Sequence, residues 1–310
     1  MLERLALLDP RSSEVQYQLG ICYGGGCREH SLANADIAIE QLRSALALLG
    51  WDCDPAMRAG ILNGMGNAYM QSRRLPVSTR VNAAIECYER AARFWFEQGD
   101  RTGWAMAEFN LGNACCELPQ EELPEKWQQA IRHYEKALQV RTRLRDPLRH
   151  AATLENLGTA YRESPLGDKA RNVRKAIDCY RQSMRVYTAA AFPLQNAALH
   201  NNLGNAYLTL PTGNPGGLLR NVRRAMRHFD RALRVRLKSQ HPSDYAGSQF
   251  NRGMAFIRLA TAVEDPLEAL QQAQACFEEA KGCFSLCGKV ELADRAQERL
   301  DLIRARLCVA

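Results

Sequence analysis

No stretch of this 310-residue chain is both long enough and apolar enough to cross a lipid bilayer. The opening segment, MLERLALLDPRSSE, breaks its only apolar run with charges and so lacks the core of a secretory signal. No membrane partner is expected, and a cytoplasmic location is. The marks of catalysis are missing too. The six histidines are dispersed, and none falls in a Ser/His/Asp, Cys/His or HExxH arrangement. Gly24, Gly25 and Gly26 follow a helical pattern rather than a strand, which removes the context that a phosphate-cradling loop requires. Cys22, Cys27 and His30 are spaced loosely like half of a metal site, but no second pair of ligands is near in sequence. Eleven cysteines without an export signal, most of them at helix-interior positions, read as reduced thiols. These absences argue against an enzyme, a metal site and a bound cofactor.

What is present is a repeat. YQLGICY, NGMGNAY, FNLGNAC, ENLGTAY, NNLGNAY and FNRGMAF are versions of one motif, with glycines at Gly20, Gly66, Gly112, Gly158, Gly204 and Gly253. Successive spacings are 46, 46, 46, 46 and 49 residues, a regularity that scattered glycines do not produce. A second motif follows each first one, starting at Ala38, Ala84, Ala130, Ala176, Ala225 and Ala273: a small residue, a bulky one four later, and usually a small one three beyond that. Both have helical spacing, so each repeat reads as a helix A and a helix B, with Gly and Ala permitting close approach and an aromatic ring filling the gap. Segments rich in Pro, Gly and Ser, such as QSRRLPVSTR and LPTGNPGGLLRN, separate A from B. Pro55, Pro147, Pro193 and Pro242 stand where the next helix A should begin. The amphipathic run at 290–308 has no glycine motif and suits a helix capping the last repeat. The expectation is an all-α, right-handed superhelical solenoid of about six helix pairs plus that cap, forming one domain over 1–310.

L-G-x-x-Y followed by A-x3-Y-x2-A resembles the tetratricopeptide repeat, and N-L-G-N-A-Y at 202–207 matches its pattern residue for residue. The period exceeds the family's usual ~34 residues. The longer helices and A–B loops resemble the extended repeats of kinesin light chains and bacterial arrays that accompany caspase-like CHAT proteases; NNLGNAYL and RHYEKALQVRT carry that likeness. The resemblance covers nearly the whole chain. It implies a fold and a binding role without naming the partner.

In such a solenoid the A helices line the concave groove. Two residues before each glycine stand Gln18, Gly64, Asn110, Asn156, Asn202 and Asn251; one after it stand Ile21, Asn67, Asn113, Thr159, Asn205 and Met254. These rows are three residues apart and share a face. An amide both donates and accepts, so asparagines can pair with the backbone of an extended peptide whatever its sequence. The same residues also suit a plainer role, helping helices pack or stay hydrated. Phe109, Phe250 and Tyr17 sit one position earlier and either add apolar contacts or are buried between repeats.

Charge is concentrated. Residues 165–240 hold fourteen Lys and Arg against Asp168, Asp178 and Asp230, which leaves the rest of the chain slightly acidic. Lys169, Arg171, Arg174, Lys175, Arg220, Arg223, Arg224, Arg227, Arg231 and Arg234 form the candidate basic patch, at the edge and convex side of repeats four and five. It suits an acidic protein surface or a solvated, solubilising face. Nucleic acid is not expected, because no aromatic residues are interleaved with the arginines for base stacking. The leading expectation is a non-catalytic adaptor or scaffold that holds a protein segment in its groove; the CHAT-linked resemblance implies a protease or signalling effector as what it scaffolds or restrains. A peptide-gated sensor and a nucleic-acid-associated factor remain as alternatives.

Overall fold

The structure is a computed structural model that describes Glu14, Tyr17, Gln18 and residues 31–49, 54–119 and 125–307. Among these residues there are twelve helices and no strand. The B helices of repeats one to six are α1 (Ser31–Leu48), α3 (Val77–Glu97), α5 (Lys126–Leu138), α7 (Lys169–Ser183), α9 (Pro215–Leu233) and α11 (Leu267–Leu286). The A helices of repeats two to six are α2 (Pro55–Gln71), α4 (Arg101–Glu117), α6 (Pro147–Glu163), α8 (Pro193–Thr209) and α10 (Pro242–Ala260). The expected terminal helix is α12 (Val290–Leu307). The Gly20 motif's glycine, Ile21, Cys22, Cys27, His30 and the Gly24–Gly26 triplet lie outside the described residues.

Local chemistry sets these boundaries. Pro55, Pro147, Pro193 and Pro242 each open an A helix, where a missing N–H costs nothing. Asp54, Asp100, Asp168 and Asn214 cap α2, α4, α7 and α9, each accepting a backbone N–H of the first turn through its side chain. Such a cap contributes about 1 kcal/mol. The short turn from α3 into α4 passes through Gly99 at φ 74°, a left-handed conformation that favours glycine.

The helices gather into two compact units, and the chain passes from one to the other between Ala160 and Tyr161, within α6. Each unit is built on the same contact. In the first, a β-carbon placed on Gly66 would lie 2.4 Å from the ring of Tyr88, and one on Gly112 would lie 2.5 Å from Tyr134. In the second, the corresponding distances are 2.4 Å from Gly204 to Phe229 and 2.9 Å from Gly253 to Phe277. Each of these four glycines is therefore the seat of the next helix's aromatic ring. Ala84, Ala91, Ala130, Ala137, Ala225, Ala232, Ala273 and Ala280 are fully buried on either side of those rings. Burying one such ring contributes about 2–3 kcal/mol, so the repeating glycine marks the energetic centre of each pair. At the far end, Leu300 and Ile303 of α12 join Phe256, Leu270 and Phe277 in one cluster, which covers the apolar face of the last repeat.

Candidate binding surfaces

The asparagine rows turn out to be stitched together. In the first unit the Tyr88 hydroxyl donates to Asn67 Oδ1 at 2.8 Å, and the Tyr134 hydroxyl donates to Asn113 Oδ1 at 2.8 Å. The next A helix then adds a second donor. Asn110 Nδ2 reaches Asn63 Oδ1 at 2.9 Å and Asn67 Oδ1 at 3.4 Å, while Asn156 Nδ2 reaches Asn113 Oδ1 at 2.9 Å. In the second unit Asn251 Nδ2 donates to Asn201 Oδ1 at 3.1 Å. Asn202 is partnered as well. In the first unit each tyrosine thus tethers an amide, and that amide tethers the following A helix. Part of the hydrogen-bonding capacity is consumed inside the fold, and what remains includes Asn110 Oδ1 and Asn205, whose side chain makes no hydrogen bond among the described residues.

The aromatic positions are absorbed further still. Phe109 packs against Tyr134 at 5.8 Å between ring centroids and lies under the Arg141 guanidinium at 4.5 Å. Phe250 makes an edge contact with Phe277 at 5.2 Å and lies under Arg295. Tyr17 packs with Leu42, Ile61 and Met65.

The basic residues form two stripes. Lys169, Arg171, Arg174 and Lys175 lie on α7; Arg220, Arg223, Arg224, Arg227 and Arg231 recur every three or four residues on α9, and Arg234 caps it. Three are tied down. Lys169 Nζ donates to the carbonyls of Arg162 and Ser164 at the end of α6, Lys175 sits over the Tyr161 ring at 4.6 Å, and Arg224 over Tyr207 at 5.6 Å. Arg171, Arg174, Arg220, Arg223, Arg227, Arg231 and Arg234 are exposed and make no ion pair among the described residues. Two of the three nearby acids are occupied: Asp168 caps α7, and Asp230 pairs with Arg252 at 3.1 Å. In the same unit Asn205, Leu208, Thr209, Asn251 and Met254 line a hollow of about 520 Å³ rimmed by Arg162, Lys169 and Arg258. Two of the row asparagines, one apolar row residue and three cations thereby share one concavity.

A further layer escaped the sequence reading. Four residues before the motif glycine, and three after the first alanine of helix B, the third repeat carries Glu108 and His133, and the fifth carries His200 and His228. Glu108 is buried and accepts from His133 Nδ1 at 2.7 Å and Lys136 Nζ at 3.2 Å. His200 and His228 face each other Nδ1 to Nδ1 at 2.8 Å, with His228 stacked on Tyr207. Burial pushes both imidazoles down to about 4, helped by Arg231, with His200, Arg181 and Arg227 also acting on His228. Aligning the repeats by column, rather than reading each motif alone, would have exposed this pair.

No helix among the described residues is long and apolar enough to cross a membrane, and none of their His, Cys, Asp and Glu side chains cluster in threes or more as a metal site would need. Cys87, Cys115, Cys116, Cys179, Cys276, Cys283 and Cys287 are free thiols, and burial raises the first three into the range of about 11 to 12.

No protein-family model matches the chain, and no curated protein matches it in sequence. Its structure is similar to several solved ones. A Rap protein complexed with Competence and Sporulation Factor is 14% identical over 96% of this chain and 77% of that one, with a TM-score of 0.55. A putative kinesin light chain from Podosopora anserina with nearly identical TPR-like repeats is 16% identical over 76% of this chain and 99% of that one, TM-score 0.52. A signal transduction ATPase with numerous domains from Pyrococcus horikoshii, which has a tetratricopeptide repeat sensor, is 14% identical over 95% of this chain but only 43% of its own length, TM-score 0.62. At such identities the likeness is one of fold, and it agrees with the glycine-seated helix pairs described above. In fold, the chain is a repeat protein of the tetratricopeptide type.

Proposed function

We propose that the chain is a non-catalytic adaptor, a single interaction module that holds a segment of a protein partner against its A helices. The observation that carries this reading is the hollow of the second unit, where Asn205 and Asn251 lie beside Met254 and are rimmed by Arg162, Lys169 and Arg258. An amide with unused donors and acceptors, an apolar contact and surrounding cations suit a peptide segment bearing acidic side chains. Asn67, Asn110, Asn113, Asn156 and Asn202 extend the same chemistry along the other A helices, in so far as their tethers leave atoms to offer. The exposed arginines of α7 and α9 add a second surface that steers an acidic partner, with strong salt dependence.

The rings nearest those arginines favour protein over nucleic acid. Tyr161 and Tyr207 are 7% and 5% exposed, too enclosed to stack on bases. The fold shared with a Rap protein complexed to a factor, and with a protein carrying a tetratricopeptide repeat sensor, supports a binding role; a protease or signalling effector is the partner class that the sequence resemblance adds.

The test is a nuclease-treated pull-down from the source organism's lysate with the tagged chain, repeated with two variants. Asn205→Ala with Met254→Ala strips the hollow, and Arg220→Glu with Arg223→Glu and Arg227→Glu reverses the α9 stripe. A near-stoichiometric protein retained by the parent and lost by the first variant is the expected result. Retention that survives both variants, or that vanishes with nuclease treatment alone, overturns it.

A further inference from the structure

Eleven residues after the first alanine of each B motif, the chain alternates between two kinds of side chain: Trp95, Arg141, Tyr187, Arg236 and Phe284 in repeats two to six. The residue five before the next glycine alternates in step, as Ala107, Thr153, Leu199 and Ser248. The two alternations are one. Arg141 Nη1 donates to Thr153 Oγ1 at 3.1 Å, and Arg236 Nη1 to Ser248 Oγ at 3.0 Å, whereas Trp95 packs with Ala107. A hydroxyl is present where an arginine is, and an apolar residue where a ring is.

Each unit opens a cavity at such a pair. In the first, a cavity of about 480 Å³ lies between Trp95 and Arg141, over the start of α4, with Met106 and Val140 on its apolar wall and Arg101, Arg145 and Arg149 around it. In the second, a cavity of about 410 Å³ lies between Arg236 and Phe284, over the start of α10, with Phe250 and Leu292 as its apolar wall and Lys289 and Arg295 beside it. The two are built from the same columns, with ring and arginine exchanged.

The charge of the first cavity is unbalanced. Its two acids are engaged: Asp100 accepts the Gly103 N–H at 2.9 Å, and Asp146 accepts the backbone N–H of Arg149 at 3.1 Å and its guanidinium at 3.2 Å. Arg141 is only 7% exposed, its hydrogen-bond partner Thr153 is a neutral hydroxyl, the Phe109 ring covers one face of its guanidinium, and no carboxylate lies within ion-pair distance of it among the described residues. Burial pulls its affinity for the proton down to about 10, with Arg149 adding to the effect and Asp146 opposing it. A guanidinium held in this state is a desolvated charge without a counter-charge, an arrangement that an arriving anion relieves. Its planar fork matches a carboxylate through two parallel hydrogen bonds.

We propose that the cavity between Trp95 and Arg141 is a binding site for a small organic acid, whose carboxylate pairs with Arg141 while its apolar body lies against Trp95 and Met106. This site is independent of the adaptor reading, because it shares no residue with the hollow at Asn205.

The test is calorimetric titration of the full chain with phenylpropionate, with phenylpropanol as the uncharged counterpart. Saturable binding of the acid, at least about tenfold tighter than the alcohol and about tenfold weakened by Arg141→Met, is expected. Thr102→Trp, at the exposed mouth of the cavity, leaves every charge in place and should also abolish the Arg141-dependent binding; it covers the case in which the methionine variant is unstable. Equal affinity for acid and alcohol, no saturable binding of the acid, or binding indifferent to both variants overturns the proposal.

Discussion

Repeats three and five place a polar pair at the same point between helix A and helix B, and they stabilise it in opposite electrical states. In the third, the Glu108 carboxylate is 5% exposed and is held by the His133 imidazole and the Lys136 ammonium. In the fifth, two neutral imidazoles hydrogen-bond to each other while arginines stand nearby. The second and fourth repeats use Leu62 with Cys87 and Leu154 with Cys179 in those columns, so neither solution is needed to form a helix pair. What repeats two, three and five keep is small residues at the helix contact and a ring seated on glycine. The comparison separates what makes the fold, which recurs, from what tunes an individual repeat, which does not.

The largest effect should come from breaking what the two repeats share. Gly112→Ala and Gly204→Ala would place a methyl 2.5 Å from Tyr134 and 2.4 Å from Phe229, well inside contact distance. Each should cost about 3 kcal/mol and to a similar degree, because the seat is the same whatever polar pair lies beside it. Gly282→Ala, in α11 with nothing within 4 Å of the added carbon, should instead stabilise by about 0.5–1 kcal/mol through helix propensity. Urea denaturation checks all three, and unequal losses at the first two would show that the seat is not the common element.

That seat is also why so much of the architecture was legible in the sequence. A glycine under a ring permits no other residue, so it repeats with a fixed period, and the prolines that open α2, α6, α8 and α10 repeat with it. The binding surface was less legible. The asparagine rows are visible as rows, but the hydrogen bonds that engage them run from one A helix to the next, as from Asn110 to Asn63 and from Asn251 to Asn201. Such pairing depends on stacking, which no single helix encodes. Arg141 and Arg236 were hidden for a different reason: each looks like a surface charge until its column is compared with Trp95, Tyr187 and Phe284.

The next effect in size sharpens the contrast at repeat three. Glu108→Leu installs the residue that the second repeat carries there, but leaves His133 and Lys136 facing an apolar neighbour. A loss of about 1–3 kcal/mol is expected, as for a charge-assisted pair broken on one side. Adding His133→Cys completes the second repeat's combination and should recover most of that loss, so that the two substitutions are strongly non-additive. Additive costs in the double-mutant cycle would mean that Glu108 and His133 do not act as a pair.

The smallest effect belongs to repeat five, and its sign follows from the imidazoles. His200 and His228 stay neutral in the folded chain down to about 4, whereas an unfolded histidine takes up a proton near 6.5. Between those values the unfolded state binds more protons, so stability is full above about 6.5 and falls as the pH drops toward 4, by a slope of at most about two protons for the pair. Below that window the folded pair must itself charge, and two imidazolium ions Nδ1 to Nδ1 at 2.8 Å, with Arg231 beside them, repel. Replacing the pair with Leu at 200 and Cys at 228, as His200→Leu with His228→Cys, removes both titrating groups and should flatten this part of the profile, leaving the carboxylates to set what acid sensitivity remains. Thermal melts of parent and variant across that range decide it: parallel curves would mean that the two rings are already charged in the folded chain, and that repeats three and five differ less than their geometry indicates.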